Sequence, residues 1–376
     1  MTERSANRRR RPGAWARRHA VLLIAVALAA GSAVLVPPDP AYLAYVDLRT
    51  LTLLFCMLAT ITALQRVRFF AAIATRVVRP FRTLRGLVLA LVLATAAASA
   101  LFTNDVALLG FLPLAYRALD STGHRGSLAF TFVMMTVAAN LGGMITPFGS
   151  PHNLYLHAFY EIPTLRFVEI MLWPFLVSIV LILVLCLLVP RAPIARPEVD
   201  IAFTSRRIFV YLLLFALVIA IVFRALPLWA GLAVPLVLLV TDRRALARLD
   251  WGLLGTFAAF FVFAGNLSRI PEVSAALASF MQIDPLLSAA LASQMISNVP
   301  AAILLSHFTS DYAQLLLGVN IGGVGTLVAS LASLIAFAHF RVVAPGETRR
   351  FLVIFSAVNL AFLAVLLLVF GVLLPG

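Results

Sequence analysis

The chain has 376 residues, of which 62% are hydrophobic and only 12% are charged, and its mean hydropathy is +1.04. Since a soluble domain carries about 25% charged residues, this composition excludes a soluble enzyme, a disulfide scaffold and a disordered regulator. The net charge of +14 arises from arginines, without any lysine, and they cluster in short loops between apolar runs. This placement is typical of membrane topology signals and lipid contact, and we expect no nucleic-acid partner.

Apolar runs long enough to cross a bilayer recur along the whole chain. A membrane-spanning helix needs about 20 such residues. The sequence predicts an all-α polytopic membrane protein with about nine full spans, at residues 20–36, 45–64, 127–160, 165–189, 208–223, 226–240, 251–267, 312–340 and 351–374. The arginine-rich residues 1–18 are expected to form a cytoplasmic tail.

Two further apolar stretches, residues 86–118 and 286–308, are each interrupted by polar residues. The interrupting residues are Thr103, Asn104 and Asp105 in the first and Ser297 and Asn298 in the second. Three of the apolar flanks, residues 106–116, 286–296 and 300–308, hold 11, 11 and 9 residues. As helices they would reach at most about 16 Å, short of the roughly 30 Å hydrocarbon core. We therefore expect two re-entrant hairpins with polar tips near the membrane centre, beside a water-filled cavity.

The arginines give a consistent orientation for this layout. With a cytoplasmic N-terminus, every arginine except Arg49, Arg166, Arg224 and Arg269 falls on the cytoplasmic side. The positive-inside rule favours this arrangement. We expect a multi-pass membrane protein with a cytoplasmic N-terminus.

The two halves of the chain resemble each other. Residues 140–150 and 320–330 share Asn, two Gly, Thr and Ser at an offset of 180, and Thr103-Asn104 matches Ser297-Asn298 at an offset of 194. Asp47, Leu64 and Arg66 match Asp250, Leu267 and Arg269 at an offset of 203. The stretch after the first matched span is rich in arginine and its counterpart is not. The halves therefore read as inverted-topology repeats, the architecture of secondary transporters.

These matches give the domain organisation. We expect a basic tail at 1–18, a first span at 19–40, repeat 1 at 41–190 with hairpin 86–118, a linker with two connecting spans at 191–248, and repeat 2 at 249–376 with hairpin 286–308.

Each Asn-x-Gly-Gly-x-x-Thr segment has glycines where a helix can open. An opened helix presents N–H groups to an anion and carbonyl groups to Na⁺. The candidate binding residues outside the tips are Asn140, Thr146, Pro147, Ser150 and Asn153 in the first copy and Asn320, Gly325, Thr326 and Ser330 in the second. The alternative is that the small residues only allow close helix packing.

Asp105 is the one acidic residue that the layout places near the membrane centre. An intramembrane carboxylate is costly and is a functional hypothesis by default. Asp105 could coordinate Na⁺ near Asn104 and Asn298, carry a proton, pair with an arginine, or serve only as a structural hydrogen-bonding group. His152 and His157 lack the further ligands of a metal site, although His152 could make a polar contact in the cavity.

The sequence contains none of the nucleophile, P-loop or zinc-protease motifs. Because the chain has no lysine, a Walker-type ATPase is excluded within it. We expect no enzymatic activity and no cofactor, with Na⁺ or H⁺ as the coupling ion.

Four stretches resemble the ion transporter superfamily, which includes divalent-anion/sodium symporters, citrate transporters, arsenite permeases and some sodium/proton antiporters. They are residues 102–109, 140–153, 296–301 and 318–330. In the dicarboxylate branch each tip resembles Ser-Asn-Thr and helps bind carboxylate and Na⁺. The resemblance thus implies binding roles for both tips and for the broken helices. Asp105 and Val299 stand where that branch has Thr, and an Asn-Asp tip looks more like the arsenite and antiporter side. The chain looks most like the compact inner-membrane permeases of bacteria in this superfamily, which implies a location in the bacterial inner membrane.

The favoured function is secondary active transport of a small anion or oxyacid, either an organic carboxylate or an arsenite-like species, by alternating access. The alternative is sodium/proton antiport through Asp105, and a membrane-embedded enzyme or a channel is a more remote one. The expected partners are the lipid bilayer and the small substrate. The resemblance to the dicarboxylate branch, in which dimers are common, adds a second copy of the chain.

Overall fold

The computed structural model describes residues 20–195 and 207–373, so the predicted tail and part of the linker lie outside the described residues. Within that part the chain is helical, and its only β-type contact is an isolated bridge between Thr83 and Pro193. The fold class, an all-α polytopic membrane protein, is confirmed.

The helices, numbered in chain order, are α1 Ala20–Leu35, α2 Leu48–Arg66, α3 Phe69–Val78, α4 Leu84–Leu101, α5 Asn104–Ser121, α6 Leu128–Gly142, α7 Pro151–Phe159, α8 Thr164–Leu187, α9 Ile208–Val222, α10 Ala233–Ala247, α11 Trp251–Ser268, α12 Pro271–Ile283, α13 Pro285–Ile296, α14 Asn298–Leu305, α15 Tyr312–Ile321, α16 Leu331–Val343 and α17 Thr348–Leu367. A single helical turn, Tyr42–Tyr45, precedes α2.

The same order of elements occurs twice. Helices α2–α8 and α11–α17 each form a span, a short helix, two hairpin arms, two halves of a broken helix and a final span. Both series begin at an aspartate that caps the helix: Asp47 Oδ1 accepts from Thr50 N, and Asp250 Oδ1 from Leu253 N, both at 3.0 Å. Such a cap satisfies an N–H group that the first turn leaves unpaired. These two aspartates are among the residues that the sequence matched at an offset of 203.

Six described helical segments are long and apolar enough to cross a membrane, and a seventh if α12 and α13, which are bent by 119°, count together. The predicted spans 20–36 and 208–223 instead hold helices of 16 and 15 residues, and the predicted span 226–240 overlaps α10, which has 15 residues and begins only at Ala233. The predicted span 312–340 is broken into α15 and α16. Four predicted spans are therefore lost through helix length or a helix break, and α4, which was predicted as a hairpin arm, is the sixth candidate span.

The length predicted for the second arm of the first hairpin, residues 106–116, was wrong, and the first arm, α4, is long enough to count among the six candidate spans. Both α4 and α5 have 18 residues, about 27 Å each. Apolarity alone ended the second arm at Tyr116, whereas the helix continues through a polar last turn to Ser121. The second hairpin has the expected short arms, of 12 and 8 residues.

Burial distinguishes a central helix from peripheral ones. In the segment Arg125–Ile145, which contains α6, 89% of the span is buried, against 28% for α8 and 22% for Pro345–Leu373. A helix that is apolar on all sides is buried in protein or faces lipid. The structure therefore surrounds α6 with protein and leaves α8 and α17 mostly at the periphery.

The helix that precedes each repeat packs on the first span of the other repeat. Helix α1 packs against α11, while α10 and the preceding turn Leu228–Leu232 pack against α2. Ion pairs fix this exchange: Arg269 Nη2 lies 2.7 Å from Asp39 Oδ2, and Arg66 Nε lies 2.6 Å from Asp242 Oδ2. The two arginines and the two aspartates are each separated by 203 positions. The pairs are thus equivalent and reciprocal. The sequence comparison missed them because Asp39 and Asp242 lie just before the predicted starts of the two repeats, at residues 41 and 249.

Candidate functional site

The first hairpin tip contacts the break between α6 and α7. The backbone N–H of Asn104 donates to Gly149 O at 3.1 Å, and Thr146 Oγ1 donates to Ala100 O at 2.6 Å. Ser150 ends the break by capping α7, since its hydroxyl accepts from Asn153 N at 3.4 Å. We call α4, α5 and residues 143–150 the first hairpin unit.

The second hairpin unit, α13, α14 and residues 322–330, has the same plan. Thr326 Oγ1 donates to Gln294 O at 3.1 Å, Ser297 Oγ donates to Ala329 O at 3.3 Å, and the Ser330 hydroxyl caps α16 by accepting from Ser333 N at 3.2 Å. The threonine bond is equivalent in the two units, because its donors are 180 positions apart and its acceptors 194. These are the offsets that relate the two Asn-x-Gly-Gly-x-x-Thr segments and the two hairpin tips in the sequence.

Close backbone packing is also equivalent in the two units. A Cβ atom on Gly142 would lie 2.7 Å from Ala96 Cα, and one on Gly322 would lie 2.9 Å from Ala290 Cα. Each glycine thus lets a broken helix approach its hairpin arm. The packing role of the small residues, which sequence analysis kept as an alternative, is therefore present.

Buried carboxamides connect the two broken helices. Asn320 Nδ2 donates to Asn153 Oδ1 at 2.7 Å, and Asn320 Oδ1 lies 3.2 Å from His152 Nε2. Asn104 Nδ2 donates to Asn140 Oδ1 at 3.3 Å. The Ser150 hydroxyl lies 3.2 Å from His152 Nε2. Ser150, Asn153, Asn320 and His152 therefore form one buried polar cluster, and Asn104 and Asn140 form a separate buried pair.

Three buried polar atoms on or beside the first unit lack a hydrogen-bond partner: Asp105 Oδ1, Asn140 Nδ2 and His152 Nδ1. None of the ion pairs in the described ranges includes Asp105, so the alternative in which Asp105 pairs with an arginine is not seen there. An unpartnered buried polar atom is costly. A carboxylate oxygen can accept a cation or a proton, and an amide N–H can donate to an anion.

The remaining predicted site residues lie within the same two units. Pro147 is buried in the first break. Gly325 has φ +119° in the second break, where a side chain would be strained. Asn298 is buried at the start of α14, and a Cβ on Gly323 would lie 3.1 Å from its Nδ2.

Sequence reasoning missed Gln294. Its carboxamide contacts three backbone groups of the second break. The available signal was a polar side chain within an apolar arm, at the offset of 194 from Ala100.

A separate apolar groove of about 840 Å³ lies between α2, α10 and α11. Leu51, Phe55, Trp229 and Trp251 are among its lining residues. Because neither hairpin tip lines it, this groove is distinct from the polar cluster.

Residues 10–314 match the citrate transporter family. The chain is 33% identical over 324 residues to an uncharacterized transporter of Methanocaldococcus jannaschii, which covers 85% of this chain and 88% of the relative. It is 29% identical over 329 residues to the inner membrane protein YbiR of Escherichia coli, covering 84% and 86% respectively.

Proposed function

Since the chain belongs to the citrate transporter family, and its family and relatives support a membrane transporter, we propose that it is a secondary active transporter of a small anion or oxyacid. The substrate class is an organic carboxylate or an arsenite-like species. The coupling ion is Na⁺ or H⁺. The observation that carries this proposal is the buried hydrogen bonding of Asn320, in the second broken helix, to Asn153 in the first, with a hairpin tip in contact with each break.

The ends of the broken helices support an anionic or oxyacid substrate. Helices α7 and α16 begin inside the protein, directly after their capping residues Ser150 and Ser330. A helix N-terminus carries a partial positive charge and N–H groups that favour an anion. Asn140 Nδ2 adds a buried donor without a partner. The predicted tip and break residues are the proposed ligands.

The unpartnered Asp105 oxygen supports cation coupling in the first unit. Asp105 follows Asn104 at the tip, and its Oδ1 is buried without a hydrogen-bond donor. A bound Na⁺ or a proton would satisfy this oxygen and offset the cost of a carboxylate in the membrane. The site would open to each side in turn as the hairpin units move relative to the exchanged helices α1, α2, α10 and α11.

Sodium/proton antiport is the second candidate, and the same oxygen favours it. In that case Asp105 alternately binds Na⁺ and H⁺, and no anion is required.

Proteoliposomes distinguish the two candidates. Internal pH and substrate uptake are recorded while citrate, succinate and arsenite are added singly, with and without a Na⁺ gradient. Anion transport predicts uptake of one substrate that depends on a Na⁺ or H⁺ gradient. Proton movement driven by Na⁺ alone, and lost in Asp105→Asn, would instead establish antiport. If no substrate moves and no proton moves, while the protein is correctly folded, the proposal fails.

We also propose that the protein lies in the bacterial inner membrane with its N-terminus in the cytoplasm. The arginine distribution supports this orientation. Both native cysteines, Cys56 and Cys186, are buried, so introduced cysteines can report sidedness. In intact cells, Glu161→Cys should react with an impermeant maleimide and Gly126→Cys should react only after lysis. The reverse pattern would overturn the orientation.

A further inference from the structure

The carboxamide of Gln294 fills the opening in the second broken helix. Its Nε2 donates to Gly322 O at 2.8 Å and to Val324 O at 3.0 Å, and its Oε1 accepts from Thr326 N at 2.8 Å. A further contact, Nε2 to Ala290 O at 3.3 Å, holds the side chain against its own helix. One side chain from the hairpin thereby satisfies three backbone groups of the break.

The break is shaped around this side chain. A Cβ on Gly325 would lie 2.2 Å from Gln294 Oε1, and the glycine has φ +119°. Only glycine combines that backbone conformation with the space that the carboxamide occupies. A side chain at position 325 would displace Gln294.

The first unit has no counterpart to this side chain. The equivalent residue is Ala100, whose carbonyl accepts the equivalent threonine bond. A methyl group cannot donate to a backbone carbonyl. The unpartnered buried polar atoms of the described ranges agree with this contrast, because Asp105 Oδ1 lies in the first unit and none lies on α13, α14 or the second break. Those of the second repeat, Asn266 Oδ1 and Asn359 Oδ1, lie on α11 and α17, outside the second unit.

Backbone oxygens that converge at a helix break are the ligands that transporters offer to Na⁺. In the second unit such oxygens converge on the Gln294 amide. We propose that the Gln294 carboxamide occupies a cation position in the second repeat, so that cation binding is left to the first repeat alone. The coupling part of this statement rests on the proposed function, whereas the occupied position does not.

Removal of the side chain tests the proposal directly. Purified wild type and Gln294→Ala are compared by ²²Na⁺ binding and by Tm in NaCl against choline chloride. Gln294→Ala should bind one more Na⁺ per chain than wild type. Its Tm should rise in NaCl by at least about 2 °C more than that of wild type. Gln294→Met fills the space without hydrogen bonds and should gain no Na⁺, and Gln282→Ala, at an exposed position, should behave as wild type.

Gln294→Glu keeps the test valid if the alanine variant does not fold. A carboxylate facing two carbonyl oxygens needs a cation between them, so this variant should be less stable than wild type in choline chloride and recover in NaCl. Unchanged Na⁺ stoichiometry in a folded Gln294→Ala, or two Na⁺ ions bound by wild type, would overturn the proposal. If wild type binds no Na⁺ and Gln294→Ala binds one, the proposal holds and Na⁺ coupling in the proposed function fails.

Discussion

The two hairpin units share a backbone plan and differ in how their polar groups are satisfied. In the first unit Thr103 is extended, with φ −159°, and Asp105 Oδ1 has no partner. In the second unit Ser297 has φ 75° and ψ 152°, a conformation that is costly for a residue with a side chain, and Gln294 satisfies the break. The comparison indicates that the second unit satisfies the polar groups of its own break. The first unit leaves a carboxylate oxygen that needs a hydrogen-bond donor or a cation from outside the chain.

The largest expected effect concerns the acidic residue at the first tip. Asp105→Asn should lower coupled transport by about 100-fold, equal to about 2.7 kcal/mol, because an amide cannot release a proton or provide a charged ligand. The equivalent change in the second unit, Val299→Asn, should reduce transport far less. Initial rates in proteoliposomes measure both. Equal losses would remove the functional contrast between the tips.

The next prediction concerns a feature that the two units share, the close packing of a glycine of the broken helix against a hairpin arm. Gly142→Ala and Gly322→Ala should each destabilise the protein by about 1–3 kcal/mol through overpacking, as measured by Tm in detergent. Gly31→Ala is the matched control, because a Cβ there meets nothing within 4 Å and alanine favours the helix. A loss in only one of the two variants would contradict the structural equivalence of the units.

The reciprocal ion pairs should differ according to burial. The side chains of Arg66 and Asp242 are 22% and 12% exposed, against 39% and 36% for Arg269 and Asp39. Asp242→Asn should therefore cost about 1–3 kcal/mol, and Asp39→Asn should cost less. Thermal unfolding in low and high salt checks this order, with Glu347→Gln in an exposed pair as the control. A larger effect at Asp39 would show that burial does not set the strength of the pairs.

The smallest expected effect is the pH dependence of the exposed pair. The hydrogen bond from Arg269 lowers the pKa of the Asp39 carboxyl below its ordinary value. Its contribution is therefore fully present above the unfolded pKa of about 3.9 and is lost as pH falls through the lower folded pKa. The Tm difference between wild type and Asp39→Asn should be constant from pH 7 to pH 5 and vanish in stronger acid. A difference that already declines between pH 7 and pH 5 would contradict this assignment.

Sequence patterns predicted the elements whose signal is local. The apolar runs located the helices, and the Asn-x-Gly-Gly-x-x-Thr segments located both breaks, because glycine positions and polar tips are readable along the chain. The offsets of 180 and 194 also predicted which residues are equivalent in contacts such as Thr146 to Ala100 and Thr326 to Gln294.

Features that depend on distant contacts were not predictable in this way. The last turn of α5 is polar, so the pattern of apolar residues does not predict that the helix continues to Ser121. The role of Gln294 depends on a carboxamide reaching residues 322–326, which a single glutamine does not indicate. The pairing of Asp39 with Arg269 joins positions 230 residues apart, and only the offset between the two pairs could have revealed it.

The exchange of the leading helices has a consequence for how the protein is made. Helix α1 leaves the ribosome first, yet its packing partner α11 follows only after about 200 more residues, roughly 10–40 s of synthesis. Through that interval Ser32, which finally receives a hydrogen bond from Asn266 at 3.0 Å, lacks this partner. Neither half is therefore a self-contained folding unit. A chain severed between α10 and α11 should regain its structure only when both fragments are inserted into the same membrane.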